Sequence, residues 1–310
     1  MSGLHVVVGA RGQIGRHVVR ALAESDRRIR TVARSPMTTV STGEHACGDI
    51  GDLNDAARLC AGAEVVYACF GGPHRTWASE FPRMSAGLLA GAARAGARVV
   101  FADNLYAYGP QDSVLHEHTT SRPVGRKPRL RAEVAEMFLA AHRRGDVRVA
   151  IARASDLYGP GVDNAMLSAR FVATALAGRT SYLPGDLDAP HTFSFVPDVA
   201  RAMVELGASD DAWGEIWHVP SAPAVSLRSL VEQIAALSGA RARVIRLPEL
   251  VVRLAGVFDP QIRELIEMAF QWDRPYLVSH AKFAARFATE ATSIAQGLRT
   301  TRDWVTALER

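Results

Sequence analysis

Cysteine is scarce in this sequence: Cys47, Cys60 and Cys69 are the only three, and no two form a C-x-x-C pair. That excludes a disulfide framework and a structural zinc site of the usual ligand spacing. Long apolar runs are lacking too, since none approaches the roughly 20 residues of a membrane-spanning helix. The first residues carry neither the basic n-region nor the apolar h-region of a secretory signal. Net charge is only +4 over 310 residues, and the basic residues are scattered apart from one cluster. This is no footprint for nucleic acid, although an anionic small ligand would suit it. Together these absences point to a cytoplasmic globular protein with a small-molecule partner and without a nucleic-acid or membrane partner. The length suffices for one large domain or two unequal ones. No repeat, low-complexity segment or flexible linker divides the chain.

What the sequence does have is a strong opening. Residues 4–8 form a short apolar, β-branched run, followed by Gly9, Gly12 and Gly15 at the spacing G-x-x-G-x-x-G. Ile14, Val18, Val19 and Leu22 then recur at helical spacing, so a strand over 4–8 and a helix over 13–24 are predicted. A strand, a glycine-rich turn and a helix in that order suit a dinucleotide. Gly9 allows the tight turn, Gly12 lets backbone approach a phosphate, and Gly15 lets helix pack on strand. The first helical residues, Gln13 and Ile14 among them, offer amides to an anion. The next predicted strand, 28–33, ends at Arg34-Ser35, and no acid occurs between Ile29 and Val40. An acid there would bind the ribose 2′-hydroxyl of NAD, whereas arginine suits the 2′-phosphate of NADP. Arg34, with Arg11 inside the loop, therefore puts NADP(H) ahead of NAD(H).

Strand and helix go on alternating. Strands are predicted over 45–50, 64–69, 97–102 and 147–152. Helices are predicted over 53–60, capped by Asp52, and over 77–95, stopped by Gly96. Five alternations with short connections imply a doubly wound parallel sheet with helices on both faces. Further on, 165–176 reads as a helix, 192–196 and 215–219 as strands, and 197–206 as a helix. Ser226 caps another helix that presents Leu227, Leu230, Val231, Ile234 and Leu237. The expected division is a dinucleotide-binding domain over 1–165, also receiving 192–222. A smaller, mostly helical substrate-binding region would hold 166–191 and 223–310. Residues 74–80, 156–164 and 184–192 are the expected substrate-facing segments. His116 and His118 form an H-x-H pair without a third ligand, so no metal is assigned. Arg122, Arg126, Lys127, Arg129 and Arg131 cluster at a helix start, where positive charge opposes the dipole and calls for compensation.

With these residues in order, the chain resembles the extended or atypical short-chain dehydrogenase/reductases of the NAD-dependent epimerase/dehydratase family. Gly9, Gly12 and Gly15 match the family's loop. Tyr158-Gly159-Pro160-Gly161 matches its Y-G-P-G turn, and Phe195-Val196-Pro197-Asp198-Val199-Ala200 its F-V-x-D-V-A segment. The resemblance covers nearly the whole chain and implies a Rossmann-type fold. It places Asp49, beside Ile50, at the adenine, and Ala68, Cys69 and Phe70 along the cofactor. Asp156 and Tyr158 fall on the substrate side, and a homodimer is compatible with it.

The catalytic segment departs from the pattern. Where the family has Ser-Ser-x-x-Val-Tyr-Gly, this chain reads Asp103-Asn104-Leu105-Tyr106-Ala107-Tyr108-Gly109, which puts Asn104 at the carbonyl-polarising position. The following Y-x-x-x-K is absent, because no tyrosine lies between Tyr108 and Tyr158. Lys127, Arg129 and Arg131 are the cations that could stand for the lysine, with the register open by a residue or two. Three readings follow. One is an NADP(H)-dependent reductase or epimerase/dehydratase-like enzyme with a rebuilt acid/base site, Tyr106 as proton donor and Lys127 as its cation. Another is a non-redox isomerase, lyase or cyclase on the same fold. The last is a non-catalytic NADP-sensing protein.

Overall fold

All five residues of β1 (Leu4–Val8) are buried, as expected of a strand covered on both faces. The computed structural model describes residues 3–35, 43–71, 76–258 and 266–308, and its contacts divide the chain into two units. The first holds Met1–Asp103, Leu130–Arg153 and Val199–Trp217; the second holds Asn104–Arg129, Ala154–Asp198 and His218–Arg310.

The remaining strands are β2 (Arg28–Ala33), β3 (Glu44–Cys47), β4 (Ala63–Ala68), β5 (Arg98–Asn104), β6 (Val149–Ala154), β7 (Asp156–Tyr158), β8 (Ser181–Leu183), β9 (Phe193–Phe195), β10 (Ile216–His218) and β11 (Val244–Arg246). Six of them join β1 in the seven-stranded sheet of the first unit, in the order β10-β6-β5-β4-β1-β2-β3. The pairs β1–β2, β2–β3, β1–β4 and β4–β5 are all parallel. The order reverses between β1 and β4, and in such sheets ligands bind outside the carboxyl ends of the strands at that point.

The helices that matter for the first unit are α1 (Gly15–Glu24), α2 (Leu53–Cys60), α3 (Trp77–Ala95) and most of α4 (Arg126–Arg143). Asp52 caps α2 by accepting from the amides of Asn54 and Asp55. α3 lies against the chain after β3 at backbone distance: a Cβ on Gly87 would fall 2.1 Å from the Ile50 carbonyl oxygen. α1 begins two residues later than the apolar spacing suggests. Gly12 N–H donates to Gly9 O at 2.9 Å, so the turn continues before the helix starts.

In the second unit β7 pairs with β9 and β11 with β8, both parallel. Its main core packs Phe193 on β9, Val172 and Ala175 on α5 (Ala169–Leu176), Leu230, Val231 and Ile234 on α7 (Leu227–Ala236), and Leu298 on the last helix, Ile294–Leu308; α6 (Val196–Ala208) follows β9 in the chain and is not among the residues of this core. A smaller core joins Leu105, Tyr108 and Leu115 to Phe270 and Tyr276. These contacts explain why 104–129 and 154–165 group with the second unit and not with the nucleotide-binding half expected from sequence. Among the described residues, no helix is long and apolar enough to cross a membrane.

Candidate active site

The glycine loop closes on the carboxyl ends of β1 and β4. Gly9 N–H donates to Val32 O on β2 at 3.1 Å, and Cys69 N–H to Val8 O at 2.9 Å. Gly9 has φ +82°, and a Cβ there would lie 2.7 Å from Cys69 O. A Cβ on Gly15 would lie 2.2 Å from Gly9 O. Both positions therefore need glycine for the turn and the helix–strand approach. At Gly12 the neighbours stand further off, at 3.1 Å from Gly9 O and 3.6 Å from Cys69 O. Ile14 sits at the helix N-cap without a side-chain cap. This cradle, which side chains would fill, fits a dinucleotide pyrophosphate.

Around the ends of β2 and β3 lies a rim of charge. Arg11 Nη1 donates to Ser35 Oγ at 2.9 Å. Arg34 Nη1 lies 3.5 Å from Glu80 Oε2, which Arg83 also reaches at 3.2 Å. Arg83 in turn grips Asp49 at 2.7 Å, and its hydrogen bonds hold the Asp49 carboxyl below the usual range. Gly51 N–H donates to Asp49 as well, and Ile50 is buried beneath. At the end of β4, Ala68, Cys69 and Phe70 are all buried. Burial pushes the Cys69 thiol well above its ordinary pKa, so it stays protonated. Phe70 packs against Phe81 and Phe101.

The end of β5 holds an arrangement that the sequence reading missed. Asp103 is buried between two arginines. Arg131 Nε donates to its Oδ1 at 3.0 Å, and Arg153 Nε to its Oδ2 at 2.9 Å. Arg131 also lies over the Phe81 ring at 4.7 Å.

This cluster bears on which cation could replace the family lysine. Arg131 is committed to Asp103 and Arg129 is exposed, while Lys127 is buried one helical turn before Arg131. The compensation expected at this helix start is also present: Glu267 Oε2 accepts from the amides of Arg126 at 3.0 Å and Lys127 at 3.3 Å. Asn104 Oδ1 accepts from Tyr106 N–H at 3.1 Å, so its amide shapes the turn Tyr106–Tyr108. Tyr106 is half-buried. Tyr108 is fully buried, its hydroxyl 2.8 Å from His218 Nε2, as befits a core residue.

Asp156 has partners that no spacing announced. Trp272 Nε1 donates to its Oδ2 at 2.7 Å, and His191 Nε2 lies 3.2 Å from the same oxygen. His191 Nδ1 donates to Gln271 O at 3.0 Å. Burial alone would raise the Asp156 pKa, but the bonds from His191 and Trp272 reverse this and hold it below the usual value. Asp156 is thus kept as a carboxylate. Tyr158, expected on the substrate side, is buried in the core instead. Its ring packs on Phe195 and its hydroxyl faces Gly297, where a Cβ would fall 2.5 Å away. Of the expected substrate-facing segment 74–80, His74 and Arg75 lie outside the described residues. His116 and His118 stack at 5.2 Å, and among the described residues no three metal-ligating side chains come together.

Comparison with known proteins gives the following. Residues 5–219 match the NAD dependent epimerase/dehydratase family. The ceramide reductase of Caulobacter vibrioides (strain NA1000 / CB15N) is 28% identical over 272 residues, covering 82% of this chain and 76% of that protein. The structure of MoeE5 in complex with UDP-glucuronic acid and NAD matches with a TM-score of 0.81 at 24% identity, over 99% of this chain and 100% of that one. UDP-glucose 4-epimerase from Thermotoga maritima, with UDP-glucose, matches with a TM-score of 0.80 at 19% identity, again over 99% and 100%. At these identities the structural matches speak for the fold.

Proposed function

This chain belongs to the NAD-dependent epimerase/dehydratase family, and on that premise we propose that it is an NADPH-dependent reductase. Its substrate would be a carbonyl compound of lipid character, handled by an acid/base site rebuilt around Tyr106. The observation that carries this reading is the glycine cradle, with Arg11, Ser35 and Arg34 beside it at the end of β2. A cradle of that kind suits the pyrophosphate, and the two arginines suit a 2′-phosphate. The direction of reaction and the lipid character are supported by the relative named for ceramide reduction.

Bound NADPH would supply a hydride to a carbonyl carbon. The chain must then give a proton to the carbonyl oxygen, and Tyr106 is the donor we assign. A phenol titrates near pH 10 and works at neutral pH only beside a cation that stabilises its phenolate. Lys127 is the cation we assign to that role; its burial on the helix start, with Arg129 facing solvent, supports the assignment. Asp156, kept charged by Trp272 and His191, would accept a hydrogen bond from a substrate hydroxyl or amide.

The test is NADPH consumption with long-chain keto-amides and ketones. Tyr106→Phe should lower kcat by about 10²–10⁴-fold with NADPH affinity unchanged. Lys127→Ala should weaken both. Full turnover in Tyr106→Phe would remove Tyr106 from the role. Product formation with NADPH left intact would point to the non-redox alternative, and binding without any product to a sensor.

A further inference from the structure

The second unit carries an apolar face that its core does not use. The helix α8 (Glu249–Phe258) exposes Leu250, Val251, Leu254, Val257 and Phe258 to between 49% and 88%. Positions 250, 254, 257 and 258 fall on one side of a helix, the spacing that ordinarily marks a buried face. Five of the eleven exposed large apolar residues reported among the described residues thus sit within these ten. Ile245 on β11 and its register partner Tyr182 on β8, from the same unit, are exposed as well. Exposed apolar residues scattered singly need no explanation, but a contiguous group of this kind marks an interaction surface.

The charge beside this face identifies what it meets. From Gly239 to Phe258 the sequence holds four arginines and a single acid, Glu249. Arg241, Arg243 and Arg246 are exposed, as is Arg179 just before β8. We propose that α8 and the arginines of the adjoining β8–β11 edge form a docking surface for an anionic lipid bilayer, with the helix lying in the headgroup layer. An apolar stripe flanked by arginine is the pattern of helices that lie in a membrane interface. The arginines add attraction to anionic headgroups. A second copy of this chain fits less well, because pairing this face with itself would set the same arginines against each other. The ten residues span about 15 Å, half a bilayer core, so the helix lies on the membrane and does not cross it. The lack of a spanning segment, from which no membrane partner was expected, does not bear on such an interfacial contact. Direct access to a lipid substrate would follow, and that consequence alone rests on the reductase reading.

Flotation of the full chain with vesicles tests the docking without cofactor or substrate. Vesicles of phosphatidylcholine are compared with an equal mixture of phosphatidylcholine and phosphatidylglycerol. The wild type should float with the mixed vesicles and bind neutral ones on the order of tenfold less. Leu254→Glu should abolish flotation, and Arg243→Glu with Arg246→Glu should abolish the preference for anionic lipid. All three side chains are exposed, and circular dichroism with thermal unfolding checks that each variant folds. Failure of the wild type to float, or flotation unchanged by Leu254→Glu, would overturn the proposal. So would a wild-type dimer in light scattering that Leu254→Glu splits while no vesicle binds. NADPH titration of the same variants should match the wild type, so a failure of docking and a failure of the reductase reading register separately.

Discussion

Replacing Arg34 by alanine should separate NADPH from NADH. Arg34 stands at the end of a chain of charges in which Asp49 holds Arg83, Arg83 reaches Glu80, and Glu80 lies 3.5 Å from Arg34. The Arg34 and Glu80 side chains are 66% and 30% exposed. An ion pair that open to water is worth about 0.2–1 kcal/mol. A charge-assisted hydrogen bond to a 2′-phosphate is worth about 1.5–3 kcal/mol. Turning Arg34 from Glu80 to the phosphate therefore nets about 0.5–2.8 kcal/mol, a factor of about 2 to 100 in Kd. Fluorescence titration at fixed ionic strength should show Arg34→Ala losing that factor for NADPH and little for NADH. Glu80→Gln removes the competitor and should tighten NADPH by up to about fivefold, since Arg83 keeps Asp49. Added salt should shrink both effects. Equal loss for the two cofactors, or none for either, would refute the assignment of Arg34 to a 2′-phosphate.

Two further outcomes concern stability. His5 is buried beside the Tyr67 hydroxyl, and burial, aided by Arg27 and Arg98 against the pull of Glu64, lowers its pKa to about 4. The folded protein keeps His5 neutral while the unfolded chain takes up a proton near pH 6.5. The stabilisation is therefore present above pH 6.5 and lost as pH falls from there to about 4, by about 3 kcal/mol over the window. In urea unfolding His5→Gln should be flatter than the wild type across that window, and parallel curves would contradict this. Asp103→Ala leaves the guanidiniums of Arg131 and Arg153 buried without their carboxylate and should cost about 3–5 kcal/mol in the same assay. A cost under about 1 kcal/mol would mean that the cluster is not paired as described.

How far the sequence could be read depended on the range of the interaction. Local signals translated well. The apolar run 4–8, the Asp52 cap and the stop of α3 before Gly96 each depend on neighbours within a few residues. Where a turn held on by its own hydrogen bonds, the reading slipped, as at Gly12 before α1. It slipped again at α5, which starts at Ala169 and not at 165 because Ala169 N–H bonds back to Val162 O. The site was legible as residue types at strand ends but not as partnerships. Asp103 stood in the catalytic segment, yet its arginines come 28 and 50 residues later. Trp272 lies 116 residues from Asp156, and Glu267 lies 140 from Lys127. No periodicity or motif carries such contacts. Tyr158 matched a family turn, but its burial against Gly297 depends on a helix near the other end of the chain.

Dinucleotide binding at the glycine cradle can be tested before any substrate is known. The wild type and Gly12→Val are titrated with NADPH, with circular dichroism confirming that both fold. The valine branches where phosphate would meet backbone, at a position where a Cβ stands 3.1 Å from the Gly9 carbonyl oxygen and asks the turn to give by only a few tenths of an ångström. Saturable NADPH binding by the wild type and none by the folded variant is the expected result; no saturable binding by the wild type, or unchanged affinity in Gly12→Val, would contradict it.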